Sequence, residues 1–205
     1  MERTQLVFRE ISQIVGGEGL SVALLTDLSG ERAVTIVCDR LMAEQMALRM
    51  NPHSSTARLL PEVLVNMLMS DNLTPDDFEM VVYDVLDGQY QVTLLNKQTL
   101  TLRSIRMSDA MLLSYISRIP LYIDSQLMAR QSTPYIPHAS GISIPINTIA
   151  TERLNDELER AIQAENYRLA SMLHEEIQKR RNNLKNSLTQ DLNNSLTQDL
   201  NNSHV

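Results

Sequence analysis

The chain has 205 residues and a formal net charge of −7, with 43% hydrophobic residues, only 4% aromatic ones and no tryptophan. Residues 1–132 carry 11 Lys+Arg against 16 Asp+Glu, and residues 133–205 carry 7 against 9. Neither part has the basic footprint that phosphate neutralisation demands of a tight nonspecific nucleic-acid binder, and platforms for stacking bases are scarce.

The single cysteine, Cys38, leaves no intramolecular disulfide framework and no cysteine zinc cluster. "MERTQLVFRE" lacks the apolar stretch of a signal peptide. No apolar run approaches the ~18–20 residues that span a bilayer. The expectation is a soluble cytoplasmic protein with no membrane partner.

Strand-like runs come first: Leu6–Ile11, Ser21–Leu28 and Arg32–Cys38, separated by "GGEG" and "SG". Gly16, Gly17 and Gly19 precede a strand instead of opening a helix, which argues against a phosphate loop. Two helices follow. Arg40–Met50 sets Leu41, Met42, Met46 and Met50 at helical spacing, and Ala57–Ser70 does so with Leu60, Leu64 and Leu68. Pro61 fits only if that second helix starts near it. Three further strands, "FEMVVYDVL", "QYQVTLLN" and "TLTLRSI", follow, the first two joined at Asp87-Gly88, a tight-hairpin signal. A helix is predicted from Ser108 to Ser117, "PLYI" reads as short and extended, and "DSQLMARQ" as a last short helix.

The order β-β-β-α-α thus occurs twice. The predicted fold is α+β, with duplicated β3α2 units forming one curled, barrel-like sheet with flanking helices over residues 1–131. Residues 132–150, with three prolines and no charge, read as a linker. Over 151–185, capped by Thr151, Leu154, Leu158, Ala161 and Ile162 make one stripe and Leu169, Leu173 and Ile177 another, predicting an α-helical hairpin. Such a hairpin buries too little apolar area to be secure alone, so a partner surface is expected. Residues 186–205 duplicate the octad "SLTQDLNN", a period that fits neither a heptad nor an 11-residue helical repeat cleanly, and read as a frayed, silent tail or, alternatively, as an extension of the second helix.

The segments "VALLTDLSGERAVTIVCDRLMAEQMAL", "RLLPEVLVNML", "VVYDVLDGQYQVTL" and "SIRMSDAMLLSYISRIPLYI" stand in the order and spacing of the bifunctional nuclease family, which the first domain resembles from about Leu6 to Arg130. The resemblance implies the duplicated fold, homo-oligomerisation, and nuclease activity on DNA and RNA. Tyr167, Ala170, Leu173, Glu175 and Ile177 are similar to the UVR motif of the excision-repair proteins UvrB and UvrC, a protein–protein contact element. That implies a protein partner for the hairpin, with Leu158, Ile162, Tyr167, Leu173 and Ile177 as contact residues.

Metal-assisted phosphodiester hydrolysis needs carboxylates converging on Mg²⁺ or Mn²⁺ and a group that activates water. Carried over from the family, Arg58 and Arg106 would bind phosphate, Asp109 and Glu62 would serve as ligand or base, and Asp109 and Asp84 would hold the metal. The family's His-Asp pair is replaced here by Glu62-Val63, a leading Asp by Ser104 and a helix Glu by Met42. Each survivor has a structural reading too. Ser108 or Asp109 can cap the helix, Arg106 and Asp109 can form an ion pair, and Asp87 can simply turn the chain. The residues leave two functions open, a metal-dependent nuclease and a degenerate scaffold that binds a repair or stress partner. His53, His138, His174 and His204 show no metal-ligand spacing.

Overall fold

Runs dense in β-branched and aliphatic residues, cut by turn residues, build the sheet in the computed structural model, which describes residues 2–13, 20–69, 73–137 and 144–202. The Gly16, Gly17 and Gly19 segment, His138 and His204 lie outside the described residues. The chain divides into two compact units, Met1–Thr148 and Ile149–Val205.

In the first unit β1 (Arg3–Gln13), β2 (Leu20–Thr26) and β3 (Arg32–Asp39) lead into α1 (Arg40–Met50) and α2 (Leu60–Leu68). Then β4 (Phe78–Leu86), β5 (Gln89–Asn96) and β6 (Thr101–Arg106) lead into α3 (Met107–Ser117), β7 (Leu121–Asp124), α4 (Ser125–Gln131) and β8 (Ser132–Pro134). The β2–β3 turn is held by Asp27, whose Oδ1 accepts from the backbone N–H of Glu31 at 2.9 Å and of Arg32 at 3.2 Å. At the β4–β5 turn Asp87 and Gly88 both take positive φ, 49° and 82°, the mirror-image turn that matches strand twist.

The eight strands form one sheet in the order β6-β5-β4-β7-β1-β2-β3-β8. All neighbours are antiparallel except β4 and β7. The sheet is not closed into a barrel, in contrast to the barrel-like expectation. Its ends are β6 and β8, and β8 is only three residues long with Pro134, which has no N–H to donate and suits an edge. Residues 132–134, expected as linker, belong to the sheet because they pair with Arg32–Val34.

β1 is the seam. Arg3–Leu6 pairs with β7, whereas Val7–Gln13 pairs with β2 on its other side. α1 packs on β1, β2 and β3, and α3 on β5, β6 and β7 while also touching β3. Between helices and sheet lie fully buried Leu25, Ile36, Met46, Met80, Met111, Ile119, Leu121, Ile123 and Leu127. The α1 stripe is narrower than its spacing suggested. Met42 and Met46 are buried, but Leu41 and Met50 are exposed.

The second unit pairs α5 (Thr151–Gln163) with α6 (Tyr167–Asn202). Leu154, Ala161, Ala170, Leu173 and Ile177 are buried. Ala150, not Thr151, is the N-cap of α5. Thr151 Oγ1 instead accepts from Arg180 Nη1 at 2.9 Å; the same nitrogen donates to the Ile149 carbonyl at 2.9 Å and Nε to Glu176 at 2.9 Å. α6 runs on through the octads to Asn202 as an extension of the second hairpin helix, since no Gly or Pro after Tyr167 interrupts it. Among the described residues no helix is long and apolar enough to cross a membrane.

Candidate functional site

The step from β6 into α3 carries Arg106 and Asp109. The helix begins one residue earlier than predicted, at Met107, with Arg106 as a backbone N-cap that makes no side-chain capping bond. Ser108 is therefore already inside the first turn, and neither it nor Asp109 is the cap. Asp109 sits in that first turn, where a carboxylate favours the positive end of the helix. Arg106 grips it with two bonds, Nε to Oδ2 at 2.7 Å and Nη2 to Oδ1 at 3.1 Å. This bidentate contact, then the Asp109 charge and the charge of Asp39, hold the guanidinium above its ordinary pKa. Arg106 remains 73% exposed.

Asp39 ends β3 and caps α1, accepting from the Met42 N–H at 2.7 Å. Its charge acts on Arg106, and α3 packs against both β3 and α1. The sequence signal for Asp39 is a good helix cap, and nothing local reveals Arg106 as its neighbour.

Asp84 stands exposed beside a β-bulge of β4, its Oδ1 accepting from the Val85 N–H at 2.8 Å. Register sets it opposite Gln91, which in turn opposes Arg106. Asp84 and Arg106 are thus two strands apart, about 10 Å, in one cross-strand row.

Glu62 is committed elsewhere. Its carboxylate meets Arg49 Nη2 at 2.7 Å, with the side chains only 12% and 3% exposed respectively. Arg49 Nη1 also donates to the Gln45 carbonyl at 2.8 Å and to Gln45 Oε1 at 2.9 Å, and its buried Nε has no hydrogen-bond partner among the described residues. Arg49 was not legible as the partner of Glu62, since the pair joins two helices across an irregular loop. Arg58 stands exposed in the turn before α2.

Of the nuclease set, the structure therefore brings together Arg106 and Asp109, with Asp84 in the same row, and keeps Glu62 in its own ion pair. Among the described residues no group of three His, Cys, Asp or Glu side chains converges to hold a metal ion. Asp109 has both oxygens on Arg106. Among the described residues, Asp109, Asp84 and Glu62 form no common cluster for a Mg²⁺ or Mn²⁺ ion.

In the hairpin, Leu173 and Ile177 are buried and Leu158 is half-buried, whereas Ile162, Tyr167 and Met172 are exposed. Contact with a partner would fall to the exposed three, while Leu173 and Ile177 hold the helices together.

Cys38, next to Asp39, is buried and donates from Sγ to the Ser21 carbonyl at 3.6 Å. Burial first, and the Asp39 charge second, push its thiol up from 9.0 to about 11. At pH 8 the folded chain should react with a thiol reagent about 100-fold more slowly than the urea-unfolded chain. Equal rates would contradict this environment. The sign for stability follows: the contribution is full below pH 9.0 and is lost as pH rises towards about 11, because the unfolded thiol ionises first.

No protein-family model matches the sequence, and no curated protein matches it.

Proposed function

We propose that this chain is a non-hydrolytic interaction protein: a self-associating domain of bifunctional-nuclease-like descent that presents a UVR-like hairpin to a protein partner in DNA repair or stress response. The observation that carries the reading is the commitment of the candidate acids, Glu62 to buried Arg49 and Asp109 to both arms of Arg106. Both Asp109 oxygens and Glu62 Oε2 are held by arginines, and a base or metal ligand at these positions would have to share or exchange those bonds.

Self-association is supported by α2. Leu60, Val63, Leu64 and Met67 recur at helical spacing, and all four are exposed, Leu60 at 70% and Met67 at 66%. A second copy suits this face because an isologous pairing sets one short apolar stripe against itself. An antiparallel pairing would also put Arg58 near the partner helix's C-terminal carbonyls, and α2 has no basic residue in its own last turn. The hairpin's exposed Ile162, Tyr167 and Met172 support the second contact. The duplicated β3α2 plan belongs to the same proposal, supported by two three-stranded meanders each followed by helices.

A nuclease remains the second reading, favoured by the exposed guanidinium of Arg106 paired with Asp109. A cleavage assay on single- and double-stranded DNA and RNA with Mg²⁺ or Mn²⁺ decides between them. The scaffold reading expects no cleavage above that of the Arg106→Ala, Asp109→Asn double variant. Metal-dependent cleavage that this variant abolishes would establish the nuclease instead.

A further inference from the structure

The seam at β1 leaves a fork in the sheet. Among the described residues no strand pairs beyond Leu6 with the edge of β1 that faces β7, and the end of α3 and the turn into β7 lie beside it. A cavity of about 200 Å³ opens there, walled by β1, Leu25, the last turns of α3 and the α3–β7 turn.

Its lining combines an apolar floor with one cation. Leu6, Leu25, Met111 and Leu121 are buried around it, and Phe8 and Tyr115 form an edge-to-face pair with centroids 5.7 Å apart. Arg118 lies at the rim with its guanidinium 5.9 Å from the Tyr115 ring centroid. That guanidinium donates to no group among the described residues. Arg118 also ends α3 in the left-handed region at φ 66°, where a glycine would be easier. The turn is fixed around it, with Arg118 N–H donating to the Ser114 carbonyl at 2.9 Å and Ser114 Oγ to the Ile119 carbonyl at 2.8 Å.

We propose that this fork binds a small monocarboxylate with an apolar body. A guanidinium presents paired N–H donors that match a carboxylate, and the floor and aromatic pair offer the body an apolar surface. A single cation suits a single negative charge; a phosphate dianion would call for a second.

Benzoate is the probe, followed by ligand-observed NMR titration, with benzyl alcohol and acetate as controls. Benzoate should bind more tightly than either control. Arg118→Gly should weaken benzoate about tenfold or more, the loss of one charge-assisted contact. Because glycine suits φ 66°, that variant should melt no lower than the wild-type protein, so lost binding will not reflect lost fold. The proposal is overturned if benzoate does not bind up to about 10 mM, if benzyl alcohol binds equally well, or if Arg118→Gly binds benzoate as tightly as wild type.

Discussion

Glu62→Ala is expected to lower the unfolding free energy by about 3–5 kcal/mol, because it strands a charge that the fold has already taken out of water. Arg49 is 3% exposed, and among the described residues Glu62 is the one carboxylate that meets it. Among the described residues its remaining bonds go to neutral oxygens of Gln45, and Nε has no partner to take up the loss. The double variant Arg49→Met, Glu62→Leu removes both charges and should cost less than Glu62→Ala alone, since replacing a buried pair with apolar groups is often close to neutral. Asp109→Asn provides the contrast. Its partner Arg106 is 73% exposed, so that pair should contribute no more than about 1 kcal/mol. Urea unfolding of the three variants checks the ranking. A Glu62→Ala cost below about 1 kcal/mol would show that the pair is not a buried clamp, and would return Glu62 to the pool of available acids.

The sequence was most legible where structure is local. Val and Leu alternation, the Asp87-Gly88 turn and Pro61 at the start of α2 are signals carried within a few residues, and β4, β5 and α1 follow them closely. It was least legible where partners are distant. That "PLYI" would pair with both β4 and β1, making β1 the seam of the sheet, depends on strands more than 30 residues away. The same holds for Ser132–Pro134, whose proline signals a linker yet suits a sheet edge.

The site was legible in part for the same reason. Arg106 and Asp109 are three residues apart and were readable as a pair. The Arg49 grip on Glu62 and the neighbourhood of Asp39 come from tertiary packing that no local pattern carries. The hairpin's stripes gave the two helices, but not which apolar residues stay outside. Burial turned Leu173 and Ile177 inward and left Tyr167 at 69% exposure.

The exposed α2 stripe is the face through which two copies would pair. Leu64 lies mid-stripe, 53% exposed, so an aspartate there should leave the protomer folded while placing a charge in the middle of a self-paired apolar face. Sedimentation equilibrium is the measurement, with circular dichroism to confirm that the variant is folded. The wild-type chain is predicted to sediment at a multiple of its 23.2 kDa mass, and folded Leu64→Asp at the monomer mass. A wild-type chain that stays monomeric at its highest soluble concentration, or a Leu64→Asp variant that assembles like wild type, would contradict the account.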